Sequence, residues 1–391
     1  MRADARLAPA LCSMLLSGST AAGLAEHAPA ILDRPLPVAS APATPVRRLL
    51  VSGHSLTDRP FPDHLAGLAE AEGRPIDWNT QHRWGSSISD RTRGDGRVDR
   101  SGYRSGVDRT GAPADVIADL ERRAAAGAPY DALILAERHT LLGELIDNDT
   151  VGHALDFHDR FVAHNPSGRT LLFASWLDRP PGDPARWIAY ERAAAPVWAC
   201  VAARINSALG TRGRRDRVEL IPAAAALAAL VERAIGPDGV PGLSAPTPDA
   251  TLARLFVDEV HPTPVAAYFV ALIAHGVLRG ATRPPDWTPP GVAPESGAAL
   301  RRFAAAYLRA HRRTPAPSPV ACLDHARRTY LPLYLAHQRD TRWRREGAVR
   351  AYARWARYRV RWSLLLRGAS PRNPFAIPNP SDAAAGRSPL G

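Results

Sequence analysis

Short apolar runs punctuate the first two-thirds of the chain at residues 48–51 (RLLV), 130–136 (YDALILA), 169–176 (RTLLFASW) and 218–221 (VELI). Each is bounded by turn-forming or polar residues and lacks strict alternation, which predicts strands covered on both faces. Residues 75–80 read as a further strand. Helical spacing of apolar positions predicts helices over 62–72, 114–126, 149–164, 184–209, 222–235 and 263–278. Strands alternating with helices predict a parallel sheet with helices on both sides. Residues 83–113 are rich in Gly, Arg, Asp and Ser and carry no period, so they predict a long loop, a kind that usually serves function or moves.

Beyond this region the pattern changes. Residues 283–294 are proline-rich and break regular structure. An amphipathic helix is predicted over 296–313, followed by a long helical stretch over 319–366 in which Trp343, Trp355 and Trp362 stand among arginines. From 369 the chain is rich in Pro, Ser and Gly, a composition that predicts disorder. At the other end, Arg2 and Arg6 flank a ten-residue apolar run at 7–16, followed by small residues at 23–25 and 28–30 with cleavage-site character. The run is too short to span a bilayer and reads as an export signal. The expected organisation is a signal peptide over 1–30, a linker over 31–46, an α/β domain over 47–294, a basic helical extension over 295–370 and a disordered tail over 371–391.

Charge sharpens this division. The 391 residues carry a formal net charge of +12, and none is lysine. A Walker-A lysine, a Schiff-base lysine and a Ser–Lys dyad are thereby excluded. Between Arg301 and Ser370, 17 arginines face only Asp324, Asp340 and Glu346, which leaves the rest of the chain with a net charge of −2. The extension could meet an anionic membrane surface or nucleic acid, or be a solvated helix surface. Abundant Ala, Pro and Arg without Lys indicates codon bias, so nucleic acid is not an expected partner on basicity alone. The aromatic residues between Tyr330 and Trp362 would equally suit a helical hairpin packing its aromatic side onto the domain.

The three cysteines, Cys12, Cys200 and Cys322, form no CxxC or Cys/His cluster, so no metal site is expected. His153, His158 and His164 lack metal-ligand spacing and read as surface residues. Residues 91–109 read as a solvated loop rather than a phosphate cradle.

The chemistry concentrates at two places. Strand 48–51 runs into Gly53-His54-Ser55-Leu56, and in an open parallel sheet sites form at the carboxyl ends of strands. A serine there, at the start of a helix, has backbone donors and a favourable dipole beside it. Some 200 residues later Asp258 and His261 stand three apart, stiffened by Pro262 and Pro264. Serine hydrolysis needs an imidazole base and a carboxylate to hold its tautomer, and this spacing can supply both.

These blocks resemble the SGNH (GDSL-like) hydrolase superfamily, over about residues 47–280. Gly53-His54-Ser55-Leu56 matches its first block, with Ser55 at the nucleophile and His54 in place of the usual Asp. Gly85, in Trp84-Gly85-Ser86-Ser87-Ile88, matches the second-block glycine that joins the oxyanion hole together with the Ser55 N–H. The third block, usually G-x-N-D, reads Ala136-Glu137-Arg138-His139-Thr140 and has no Asn. Glu137 would repel an oxyanion; Arg138 or His139 could donate in its place, or Glu137 could hold a loop by accepting hydrogen bonds. The fifth block, D-x-x-H, matches at Asp258 and His261. GHSL, the strand ending in a glutamate and Tyr268-Phe269-Val270-Ala271-Leu272 are similar to an exported bacterial subgroup. The resemblance implies a flavodoxin-like three-layer α/β/α fold, an acyl-enzyme mechanism on an acylated carbohydrate or small ester, catalytic Ser55, Asp258 and His261, site-lining His54, Glu137, Arg138 and His139, and no cofactor. It leaves open an O-acyltransferase and a non-catalytic protein that keeps the fold to bind glycan or a surface; a basic-tail adaptor at an anionic membrane is a third reading.

Overall fold

The computed structural model describes residues 46–94, 101–180, 182–312, 316–367 and 372–376; the expected signal peptide, nearly all of the linker and most of the expected tail lie outside them. Five strands form one parallel sheet: β1 (Arg48–Gly53), β2 (Asp77–His82), β3 (Ala132–Ala136), β4 (Arg169–Phe173) and β5 (Val218–Ile221), in the order β2-β1-β3-β4-β5. This is the flavodoxin-like order, with a switch point between β1 and β3. Leu49, Val51, Ile134, Leu171 and Leu172 are wholly buried, as the continuous apolar runs require. Each such side chain contributes about 1.5–3 kcal/mol when removed from water.

Helices cover both faces. α1 (Phe61–Ala71) follows β1. Between β2 and β3 come α2 (Ile88–Thr92) and α3 (Val116–Ala125), and between β3 and β4 come α4 (Leu141–Asp147) and α5 (Thr150–His164). α6 (Pro184–Thr211) leads to β5, after which come α7 (Ala223–Ile235), α8 (Pro248–Leu255) and α9 (Pro264–Arg279). α1, α7 and α8 pack with α9 on one side, and α3 and α6 pack with α5 on the other, giving three layers. The strand register aligns Gly53 with His82, Ser52 with Leu135, Ala136 with Phe173 and Phe173 with Ile221, so all five carboxyl ends meet at one edge.

The aperiodic 83–113 region carries more order than its composition suggests. Ser87 caps the backbone N–H of Asp90 while the Asp90 carboxylate accepts from the Ser87 N–H, a reciprocal box that starts α2. Arg91, expected in a solvated loop, is fully buried one turn into that helix. His158, expected on the surface, is also fully buried: its ring bonds Thr170 Oγ1 (2.9 Å) and Asp216 Oδ2 (2.7 Å), tying α5 to the sheet.

The C-terminal region is helical. α10 (Pro294–His311) packs on α9. The long stretch after it runs from α11 (Pro319–His325) through one π-helical turn (Ala326–Tyr330) straight into α12 (Leu331–Asp340), and breaks only before α13 (Ala348–Leu365). Pro332 sits in the first turn of α12, and Gly347 takes φ 104°, a conformation closed to most other residues, just before α13. A Cys200–Cys322 disulfide joins α6 to α11. The aromatic side of the hairpin faces inward: Trp343 stacks on Tyr358 and Tyr358 meets Trp362 at 4.7 Å, while Tyr330 packs on Tyr190 of α6. These helices share one hydrophobic core with the sheet domain. Residues 372–376, assigned by composition to a disordered tail, also reach that core through the buried Phe375.

Candidate active site

β1 ends at a position where a side chain would collide with Thr57. A Cβ on Gly53 would stand 1.9 Å from Thr57 Oγ1, because the chain folds back at once into a single 3-10 turn over Ser55–Thr57. The turn is closed by Thr57 N–H and Oγ1 donating to His54 O at 2.8 and 3.1 Å. Ser55 opens this turn and is half-buried at the sheet edge. The dipole expected beside it is therefore that of one turn, since α1 begins only at Phe61.

The Asp258–His261 segment forms a self-contained loop before α9. Asp258 Oδ1 accepts from the backbone N–H groups of Val260 and His261, both at 2.7 Å, and Oδ2 lies 2.6 Å from His261 Nδ1. Burial raises the Asp258 pKa, but the two backbone donors and the imidazole outweigh it and hold the carboxyl below its ordinary value. With Nδ1 donating to the carboxylate, Nε2 carries the lone pair. The loop is pinned from outside: Trp176 Nε1 donates to Val260 O (2.8 Å) and Arg179 N–H to Glu259 O (2.7 Å), both from the segment after β4. The His261 ring also packs against Trp84, at 5.8 Å between centroids. Trp84 follows β2 directly, and Arg83 N–H donates to Gly53 O at 3.1 Å. Thus the imidazole stands over the strand end next to the one that carries Ser55. Among the described residues no hydrogen bond joins Ser55 Oγ to His261.

Gly85 follows Trp84 with φ 58°, and the space where a Cβ would stand is empty. The glycine keeps the backbone exposed and in a left-handed turn between two side chains, Trp84 and Ser86, that point to different environments: Trp84 is 69% exposed and Ser86 is buried.

Beneath this edge lies a buried polar floor. The Arg91 guanidinium donates to Ser52 Oγ (2.9 Å), to Ser86 O and Oγ (2.9 and 2.6 Å) and to Ala136 O, joining the ends of β1, β2 and β3. Burial lowers its pKa to about 10, with the charges of Glu137 and Asp90 opposing, so it stays cationic at neutral pH. Glu137 and His54, expected to line the site, are instead buried below it. Glu137 accepts from Ile88 N–H (3.1 Å), Arg138 N–H (2.7 Å) and Thr150 Oγ1 (2.7 Å), so it holds the second-block loop in place, one of the two roles open to it on sequence grounds. Burial, aided by the charge of Glu144, pushes its pKa up to about 7. His54 Nδ1 accepts from Leu56 N–H (3.4 Å), so Nε2 carries the proton and donates to Glu137 O (3.0 Å). Burial keeps this imidazole neutral, its pKa well below the ordinary value. Ser175 Oγ, after β4, donates to the same carbonyl at 2.6 Å.

The other two expected lining residues stay at the rim. Arg138 lies 3.7 Å from Glu144, and His139 Nε2 lies 3.0 Å from Asp178 Oδ1. The latter is a second imidazole–carboxylate pair at the same sheet edge. Asp178, Trp84, Arg91 and Ser175 escape a reading of the sequence alone. The Ser87-x-x-Asp90 capping pattern marks the start of the helix that carries Arg91, but not the burial of its guanidinium. Two cavities, of about 560 and 760 Å³, lie beside the disulfide and beside α10; neither is lined by Ser55, Gly85, Asp258 or His261.

No family model matches the chain, and no curated protein matches it. Among solved structures, it is similar to the crystal structure of a DUF4886 family protein from Bacteroides uniformis ATCC 8492, at 14% identity and a TM-score of 0.46, over 69% of this chain and 97% of that one.

Proposed function

We propose that the protein is a serine ester hydrolase of the SGNH type, exported by a bacterium and acting on an acylated carbohydrate or small ester. The observation that carries this reading is the 2.6 Å contact between His261 Nδ1 and an Asp258 carboxylate already fixed by two backbone donors, at the edge that bears Ser55. That contact selects the tautomer a general base needs. In the proposed reaction His261 Nε2 removes the Ser55 proton as Oγ attacks the ester carbonyl. The oxyanion takes hydrogen bonds from the Ser55 and Gly85 N–H groups. Collapse expels the alcohol, which takes the proton back from His261, and leaves an acyl-enzyme. Water, activated by the same imidazole, then releases the acid and frees Ser55. A sugar hydroxyl replacing that water would make the protein an O-acyltransferase. The Cys200–Cys322 disulfide supports an oxidising compartment.

One observation favours a second reading. Where the family places an Asn oxyanion donor, this chain has Glu137, buried and accepting rather than donating. A non-catalytic protein retaining the fold to bind glycan or a surface would need no such donor. Fluorophosphonate labelling of the purified protein with mapping of the modified residue separates the two. The hydrolase reading expects the adduct on Ser55, hydrolysis of a short-chain nitrophenyl ester, and loss of both in Ser55→Ala with the fold intact. Wild-type protein inert to probe and ester alike would favour the binding protein.

A further inference from the structure

One side of α13 packs on α12 and the turn at Trp343–Glu346, and the opposite side has a pattern of its own. Ala351 and Trp362 face inward, with Trp355, Tyr358 and Leu365 partly buried on the same side. The outward side carries Val349, Ala353, Ala356, Val360 and Leu364, spaced four, three, four and four residues apart, which places them in one stripe along the helix. Val349, Val360 and Leu364 are 84%, 62% and 63% exposed. Arg350, Arg357 and Arg361 line one flank of the stripe, and Arg359 and the half-exposed Tyr352 line the other. α13 contains five arginines and no acidic residue.

We infer that this outward face docks the protein peripherally on an anionic bilayer surface, with the helix lying in the interfacial plane. Apolar side chains in a row gain by entering the acyl boundary, and arginines on either flank stay at headgroup level. The charges are available for this. Arg361 reaches Asp147 and Arg354 reaches Glu346, but Arg350 and Arg357 make no ion pair among the described residues. Four cations elsewhere in the extension are matched within the protein: Arg301 by Asp286, Arg328 by Asp324, Arg339 by Asp340 and Arg345 by Glu259. Charge complementarity selects the occupant. A second copy would set five arginines against five with no acid on either helix, and a nucleic acid would leave the apolar stripe in water. Anionic lipid satisfies both features. No described helix is long and apolar enough to cross a membrane, so docking is from one side.

The test is co-sedimentation of the full chain with vesicles of phosphatidylcholine alone and of an equimolar mixture with phosphatidylglycerol. Binding is expected to the mixed vesicles and to weaken with salt. Val360→Ser/Leu364→Ser should reduce partitioning at least about ten-fold by removing the apolar contact. Arg350→Gln/Arg357→Gln should reduce it about ten-fold and flatten the salt dependence. All four positions are exposed, and unchanged far-UV circular dichroism confirms that each variant folds. Ser55→Ala should bind as wild type does, so the result stands apart from the esterase reading. The inference is overturned if wild type ignores the mixed vesicles, or if both double variants bind them unchanged. Retention of a DNA duplex that depends on the arginines but not on Val360 and Leu364, without vesicle binding, would make the partner nucleic acid. Concentration-dependent dimers abolished by Val360→Ser/Leu364→Ser, without vesicle binding, would make it a second copy.

Discussion

The rim and the floor of the sheet edge are built on opposite terms. At the rim, Ser55 and His261 are half-buried, Asp258 and Trp84 are exposed, and the defining hydrogen bond joins residues three apart. In the floor, Arg91, Glu137 and His54 are inaccessible, and their bonds join residues 39, 49 and 83 apart. Groups that act on a ligand must be reachable, so few protein partners surround them. Groups that fix where four strand ends stand must be satisfied inside the protein, because an unpaired buried donor or acceptor costs about 1–3 kcal/mol. If this division holds, rim substitutions change turnover and leave stability alone, while floor substitutions do the reverse.

The largest effect should come from the rim. Asp258→Asn keeps the size and the two backbone acceptor contacts but favours the wrong tautomer of His261. Turnover on a nitrophenyl ester should fall about four orders of magnitude, the cost of the wrong tautomer in a Ser-His-Asp triad, with the melting temperature unchanged. Asp178→Asn is the control, because His139 makes the competing pair. A loss confined to Asp178→Asn would transfer the base role to His139. Near-wild-type turnover in both would remove carboxylate support from the mechanism.

Arg91→Leu tests the other side. It removes a buried cation and takes the guanidinium donor from the Ser86 and Ala136 carbonyls, while the Ser52 and Ser86 hydroxyls keep their bonds to Gln81 Oε1 and Arg83 O. Breaking a buried charged network in this way costs about 3–5 kcal/mol, read as a lowered urea midpoint at unchanged slope. Activity per folded molecule should fall far less than in Asp258→Asn. A variant as stable as wild type would show that Arg91 is not what joins the strand ends.

The same contrast decides what could be read from the chain. Strands β1, β3 and β4 announce themselves because burial on both faces demands continuous apolar runs. Ser55 and the Asp258–His261 pair are visible because each depends on a local turn. Arg91 is not, since a guanidinium in a Gly/Asp-rich stretch looks solvated until Ser52 and Ala136, 39 and 45 residues away, are brought beside it. His158 is hidden for the same reason: its partner Asp216 lies 58 residues on. His54 and Glu137 stand in recognisable blocks, yet Glu137 is held by Ile88 of α2 and by Thr150, and His54 by the Glu137 carbonyl 83 residues on, which spacing does not encode.

The smallest effect is a pH dependence carried by Glu137. Its ordinary pKa of 4.5 rises to about 7 in the folded protein, chiefly through burial and then through the charge of Glu144. Below pH 4.5 both folded and unfolded forms hold the proton, and the group contributes nothing. Between 4.5 and 7 the unfolded chain releases the proton and the native protein keeps it, so stability falls as pH rises, and above 7 the loss is complete. At about 1.4 kcal/mol per unit the total is about 3–4 kcal/mol. Glu137→Gln isolates it. The amide oxygen can keep the bonds from Ile88 and Arg138, and the new NH₂ meets Thr150 Oγ1, a hydroxyl able to accept as readily as it donates. The variant should therefore match the protonated acid and lack the slope. Glu191, pushed up to about 8 by burial, adds a decline of the same sign to both proteins and cancels in the difference. Urea midpoints taken from pH 4.5 to 8 should show wild type losing ground steadily to Glu137→Gln up to about pH 7. Parallel curves would mean that Glu137 is ionised throughout, held by Arg91, and that the floor is an ion pair rather than a neutral acid beside a cation.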